Sequence, residues 1–319
     1  MSYITWLRGK IGRQKTLIVY GTVILRDERR RVLLQRRVDN GLWGLPGGIL
    51  EPGESMLDCA RRELYEESGL SAGELRLTGV YSDPQYDVVY PNGDEVQQYT
   101  VCFEGQMSGG RLQLDPEETS DLAFFDVAEI PRAEMASFYL DMLGDAERNG
   151  PPAFSPPYAG PRLVDVIQQV RLSIGKALFV GAGAMAAVQR ADGRLLVARR
   201  IDDGEWSLPG GFTQLGENAA HTAVREVREE TGIQICLERL LGISSPIQPW
   251  VYPNGDQAQA VISIFLAHPL GGELRPDQVE SSQVEWMTPD EVLALDTHPD
   301  LAKLNRVVVD SLDRGVFVN

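Results

Sequence analysis

From Gly48 to Leu70 the chain reads GILEPGESMLDCARRELYEESGL, and from Gly211 to Ile233 it reads GFTQLGENAAHTAVREVREETGI. Both stretches follow one pattern: Gly, five residues, Glu, seven residues, Arg-Glu-aliphatic, one residue, Glu-Glu, one residue, Gly-aliphatic. Seven fixed identities at about 5–8% each meet by chance on the order of once in 10⁸ positions, so two occurrences in one chain are no accident. Ser55 and Asp58 predict a capping-box start for a helix running to Ser68, with Gly69 as its stop. Asn218 and Gly232 take those parts in the second stretch. On such a helix Glu63 and Glu67 lie four apart on one face, with Glu66 beside them. Glu226, Glu229 and Glu230 repeat the arrangement. Like charges at this spacing destabilise a free helix by a few tenths of a kcal/mol per pair, and the negative end of the helix dipole makes three of them worse. A divalent cation between them reverses the sign. Carboxylate oxygens without Cys or His suit Mg²⁺ or Mn²⁺ rather than zinc. Arg62, four residues before Glu66, and Arg225, four before Glu229, are each placed to pair with that glutamate.

The repetition extends outward. Ile11-Gly12 returns as Ile174-Gly175, and Arg36-Arg37-Val38-Asp39 as Arg199-Arg200-Ile201-Asp202, both 163 residues later. Trp43, Leu45, Pro46, Gly47 and Gly48 return at the same spacing, whereas Tyr90-Pro91-Asn92-Gly93-Asp94 and Gly109-Gly110 return after 162. A constant register over so long a span exceeds solenoid periods and implies two homologous domains. Asn149–Arg162, NGPPAFSPPYAGPR, has five prolines in fourteen residues and reads as an extended, semi-rigid linker. Domains are therefore expected over residues 1–148 and 163–319.

Within each unit the pattern is mixed α/β. In the first, a helix is expected near Tyr3–Ile11, strands near Thr16–Leu25 and Arg31–Arg37, the helix from Ser55, a hairpin at Asn92-Gly93, a strand near Leu122–Phe125 and a helix near Ala133–Gly144. The chain has 319 residues, 43% hydrophobic and 24% charged, enough for two apolar cores. Its net charge of −16 makes bulk attraction to nucleic acid or an anionic membrane a poor expectation. Three cysteines with no CxxC pair exclude a disulfide framework and a zinc ribbon, and fit a reducing, cytoplasmic compartment. They are expected to be buried spectators. Met1–Gly12 lacks the apolar core of a signal peptide. Ala177–Val188, twelve near-apolar residues, is short of the ~20 that span a membrane and reads as a buried strand.

The twice-repeated pattern is that of the Nudix box, and the chain resembles a tandem Nudix hydrolase over most of both halves. The resemblance implies two α/β/α sandwich domains with mixed sheets. It also implies a metal-dependent hydrolase that cleaves the diphosphate linkage of a nucleoside diphosphate bound to another moiety: an NTP, ADP-ribose or a nucleotide sugar. By resemblance, a backbone carbonyl at Gly47 and at Gly210 ligates metal alongside Glu63, Glu66 and Glu67, and alongside Glu226, Glu229 and Glu230. Arg62 and Arg225 hold the acidic cluster. Glu118, in Leu114-Asp115-Pro116-Glu117-Glu118, and its counterpart Glu280 stand where many Nudix hydrolases carry a metal ligand or general base on a loop.

The substrate is not legible. Trp43, Trp206, Tyr86 and Trp250 are candidates to stack on a base, with core packing the simpler role for the two tryptophans beside Leu-Pro-Gly-Gly. The histidines His221, His268 and His298 are too scattered for a triad. Other readings are that one half is catalytic and the other a binding or scaffold domain, or that the substrate is an RNA 5′ end. A regulator would need an appended basic DNA-binding domain, and none is expected after Leu304. A nucleotide-sized substrate and a monomer whose halves pack as a pseudo-dimer are expected.

Overall fold

The computed structural model describes residues 1–313 and 315–319. It divides into two compact units, Met1–Phe154 and Ser155–Asn319.

In the first unit the central strand Thr16–Arg26 runs parallel to the long strand Glu95–Gly110, and the remaining pairings along the sheet are antiparallel except at its outer edge. The order across the sheet is Trp43–Gly44, Val32–Arg37, Thr16–Arg26, Glu95–Gly110, Leu70–Tyr81, Ala153–Phe154. The sheet is mixed, and alternation along Thr16–Arg26 sends successive side chains to opposite faces. Gly21 faces the helix Met56–Ser68: a Cβ there would lie 3.1 Å from Cys59 Sγ and 3.2 Å from the Ala60 nitrogen. Ile24, with Leu34 and Trp43, packs on the other face against Met142, Leu143 and Ala146 of the helix Ser137–Arg148. The result is a sheet between helices, as the apolar runs require.

The second unit repeats this plan. Of the stretch Ala177–Val188, expected to be a buried strand, Phe179–Val188 forms the strand, buried along nearly its whole length and parallel to Gln257–Gly272. The helix Ala219–Thr231 stands in the place of Met56–Ser68, and Pro299–Ser311 in that of Ser137–Arg148. One difference lies at the sheet's edge. In the first unit Arg26 pairs with Val32 and joins the strands Thr16–Arg26 and Val32–Arg37 into one sheet. In the second, Leu195–Arg200 pairs with Trp206–Ser207 and Ser281–Met287 as a separate sheet, and an isolated bridge joins Gln189 to Leu195.

The proline-rich stretch carries short strands on either side of the division: Ala153–Phe154 adds to the edge of the first sheet, and Ala159–Val164 pairs with Leu215–Glu217. The Tyr-Pro-Asn-Gly-Asp segments are hairpin turns, each closed by bonds between the Tyr and Asp backbones. They also anchor the helices that precede each sheet. Arg8, on the helix Tyr3–Ile11, pairs with Asp94 and donates to the carbonyls of Gln14 and Glu95. Arg171, on Val166–Ile174, does the same with Asp256, Ala177 and Gln257.

Two expectations need correction. Cys59 and Cys102 are buried, but Cys236 is exposed: it sits opposite His268 at the outer end of an edge-ward strand, where alternation turns it to solvent. The last helix of the first unit begins at Ser137, not Ala133, because Arg132–Glu134 forms a separate 3₁₀ turn after Pro131.

Candidate active site

Each acidic helix starts and stops as its caps dictate. Ser55 Oγ accepts from the Asp58 N–H while the Asp58 carboxylate accepts from the Ser55 N–H, and Gly69 closes the helix at φ 69°. Asn218 accepts from the His221 N–H, and Gly232 closes at φ 73°. The caps fix the helical phase, and the phase brings Glu63 with Glu67, and Glu226 with Glu230, to the face above the glycine loop.

That loop is shaped for carboxylates. The Gly47 N–H donates to Glu67 at 2.8 Å, and the Gly210 N–H to Glu230 at 3.2 Å. Gly48 and Gly211 make room for the neighbouring acid: a Cβ on either would lie 2.4 Å from the carboxylate of Glu63 or Glu226. No other residue leaves that space free.

An arginine organises each site. Arg62 Nε and Nη2 donate to Glu54, Nη1 to Glu63 at 2.6 Å and Glu66 at 3.0 Å, and Nη2 also to the Ile49 carbonyl. Arg225 makes the same set to Glu217, Glu226, Glu229 and the Phe212 carbonyl. The planar fork suits this multiple duty. The expected pairs with Glu66 and Glu229 are present, and both of these glutamates are half exposed on the outer side. Glu54 and Glu217, at the start of each acidic helix, are the bidentate partners that fix each arginine.

In the second unit, ligand oxygens of Glu226, Glu230 and Glu280 all lie within 4.8 Å of one another. Glu226 and Glu230 are buried and Glu280 is exposed. Glu280 is carried by a loop that Asp277 clasps, its carboxylate accepting from the N–H groups of Val279, Glu280 and Ser281. In the first unit Asp115 accepts from Glu117 N–H, and Glu118 is likewise exposed on its loop.

Burial pushes these acids up: Glu67 to about 8 against the weaker pull of Gln35 and the Gly47 N–H, and Glu226 to about 7. Glu63 rises for the same first reason. Glu230 is held well above the ordinary range by burial and by the charges of Glu226 and Glu280, and Glu280 rises through burial and Asp277. Acids crowded and desolvated in this way are poor anions alone and good ligands for a hard divalent cation. The carboxylate donor set therefore fits Mg²⁺ or Mn²⁺.

A cavity of about 620 Å³ opens from Glu226, Glu230 and Glu280 toward Arg200, Trp250 and Tyr252. Trp250 is half-buried on its wall, braced by His298 with ring centroids 4.8 Å apart. The other candidate aromatics serve packing. Trp43 is buried edge-on to Phe125, Trp206 packs on the second core, and Tyr86 is buried with its hydroxyl donating to Asp141 at 2.8 Å.

The NUDIX domain model matches the chain twice, over residues 17–144 and 180–308. The chain belongs to the Nudix family and carries two NUDIX domains in tandem. A MutT-like protein of Streptomyces ambofaciens is 44% identical over 105 residues, 33% of this chain and 62% of that protein. A putative 8-oxo-dGTP diphosphatase of Bacillus subtilis (strain 168) is 35% identical over 109 residues, 34% of this chain and 66% of that protein. The matched region thus spans less than two thirds of either relative. Among solved structures, a NUDIX hydrolase from Nitrosomonas europaea aligns with 43% of this chain and 90% of its own, at 24% identity and a TM-score of 0.35. Among the described residues no helix is long and apolar enough to cross a membrane.

Proposed function

We propose that the chain is a metal-dependent Nudix pyrophosphohydrolase that cleaves the diphosphate of a nucleoside diphosphate derivative. The observation that carries this reading is the convergence of Glu226, Glu230 and Glu280 at the foot of a nucleotide-sized cavity. In each half the acidic helix and the glycine loop would hold Mg²⁺ or Mn²⁺: Glu226, Glu229, Glu230 and the Gly210 carbonyl in one, Glu63, Glu66, Glu67 and the Gly47 carbonyl in the other. When bound, the cation neutralises the diphosphate and makes a nearby water more acidic.

The chain's own groups supply the rest. Arg225 and Arg62 keep the helix carboxylates pointed at the loop, so the site is organised before substrate arrives. Glu280, on its clasped loop beside the cluster, is placed to take the proton of the attacking water, and Glu118 is its counterpart. Water adds to one phosphorus as the anhydride P–O bond breaks, and the electron pair leaves on the departing phosphate. Such a transfer needs positioning and charge more than covalent help from the protein. Recruiting the anion through metal also reconciles a phosphate substrate with a net charge of −16. The likeness to the putative 8-oxo-dGTP diphosphatase named above supports a nucleoside triphosphate as the class to try first.

The test is a product-resolved Mg²⁺ assay on NTPs, 8-oxo-dGTP, ADP-ribose, NADH, dinucleoside polyphosphates and nucleotide sugars. Wild type is compared with Glu67→Gln, Glu230→Gln and the double variant. Activity that is lost on metal removal and absent from the double variant supports the reading. Full activity of the double variant refutes the assignment of the sites.

A further inference from the structure

The strand registers that repeat the glutamates also match the cleft walls of the two halves, position by position. Tyr20 lies opposite Ile49 and Thr100; the equivalent position, opposite Phe212 and Ile262, is Gly183. Gln98, opposite Ile18, becomes Ala260, opposite Gly181. Gln35, opposite Gly44, becomes Ala198, opposite Ser207. Tyr139, the third residue of the helix Ser137–Arg148, becomes Leu301, the third of Pro299–Ser311. Four large polar side chains of the N-terminal half are thus Gly, Ala, Ala and Leu in the C-terminal half.

The consequences differ on the two sides. In the C-terminal half Ala198, Ala260 and Leu301 line the 620 Å³ cavity together with Trp250 and Tyr252, a volume within the roughly 300–1,000 Å³ of small-molecule sites. In the N-terminal half the larger groups are tied in place. The Tyr20 hydroxyl lies 2.9 Å from that of Tyr90. Tyr139 packs so closely on Gly44 that a Cβ there would be 2.8 Å from its ring. Gln98 is buried and donates to the Tyr86 carbonyl at 2.7 Å. Gln35, also buried, accepts from the Thr119 hydroxyl at 2.8 Å.

From this contrast, and resting on the function proposed above, we propose that the C-terminal half alone binds the nucleoside. Its base stacks against Trp250 and its diphosphate reaches toward Glu226 and Glu230. In the N-terminal half the chain's own Tyr20, Gln35, Gln98 and Tyr139 occupy the equivalent volume and exclude a nucleoside. The specificity-determining residues are these four positions, not the glutamates, which are shared.

The test is calorimetric titration of the full chain, in Mg²⁺, with the α,β-methylene analogues of ADP, GDP, CDP and UDP, which cannot be cleaved between their phosphorus atoms. The expected stoichiometry is near one per chain. Trp250→Ala should weaken binding about tenfold or more, the usual loss for one base–aromatic stack. Ala260→Gln, which copies the N-terminal residue into the cavity, should weaken it likewise. Tyr20→Gly with Gln98→Ala should raise the stoichiometry toward two. In case that variant folds poorly, photolabelling of the wild type with the 8-azido or 5-azido diphosphate of the best base, followed by peptide mapping, locates the site directly. Label on the C-terminal half supports the proposal. Two equivalents bound by the wild type, label around Tyr90 and Tyr139, or unchanged affinity in Trp250→Ala overturns it and leaves the hydrolase reading standing. Binding of none of the four analogues overturns both.

Discussion

Replacing Glu67 by Gln should make the metal-free protein more stable at pH 8 and flatten its response to pH. Glu67 is 4% exposed and titrates near 8 instead of near 4.5. Between those two values the folded state holds a proton that the unfolded chain has released. Stability from this group is therefore fully present below pH 4.5 and is lost as pH rises toward 8. At 1.36 kcal/mol for each tenfold change, complete ionisation costs the fold at most about 5 kcal/mol. The part lost between pH 6 and pH 8 is about 2 kcal/mol. For a unit of this size that is a fall in Tm of roughly 4–8 °C. Gln keeps an oxygen for the Gly47 N–H and carries no charge, so the variant should not share this fall. Scanning calorimetry of the full chain in chelator, at pH 6 and pH 8, measures the difference. Millimolar Mg²⁺ or Mn²⁺ should then raise the N-terminal transition of the wild type at pH 8 more than that of the variant, while the C-terminal half, whose glutamates are unchanged, responds alike in both. A variant that loses as much stability as wild type between the two pH values would refute the argument that burial of an uncompensated carboxylate sets this response.

Removing the organising arginine should cost more in the second half than in the first. Arg225 is 9% exposed and its partner Glu217 fully buried, so Arg225→Ala strands a buried charge and should cost about 3–5 kcal/mol by denaturant titration. Arg62 and Glu54 are 27% and 19% exposed, and Arg62→Ala should cost about 2 kcal/mol. Gly211→Ala should keep the fold but push Glu226 aside, because the new methyl falls 2.4 Å from its carboxylate oxygen; metal affinity of the C-terminal half, read by Mn²⁺ titration, should drop about tenfold or more. An unchanged Mn²⁺ affinity in Gly211→Ala would count against Glu226 as a ligand. Asp277→Ala should loosen the loop that carries Glu280 and lower kcat with little change in KM, since its carboxylate holds the loop backbone and is not part of the cavity wall.

Local geometry accounts for what a reader of the sequence alone can find. Caps at Ser55 and Asn218, stops at Gly69 and Gly232, and the four-residue spacing of Glu63–Glu67 and Glu226–Glu230 are all set within one helical segment, where φ, ψ and side-chain direction follow from neighbours in the chain. The pairs Arg62–Glu66 and Arg225–Glu229 belong to the same class, as does the doubling of the whole unit, since a repeat is a property of order alone. What had to wait for the tertiary structure are meetings between segments far apart in the chain. Glu280 comes beside Glu226 because Ser281–Met287 pairs with Leu195–Arg200 and delivers the preceding loop to the helix. Arg225 ties the loop to the helix, donating to both Glu217 and the Phe212 carbonyl, a meeting that helical spacing alone does not dictate. The difference between the clefts is of this kind too. Gln35 and Ala198, or Gln98 and Ala260, look like ordinary variation along a strand until the pairing register and the cavity wall show where they stand. Side-chain identity is written locally, but occupancy of a cavity depends on every wall at once, and only the assembled sheets and helices bring those walls together.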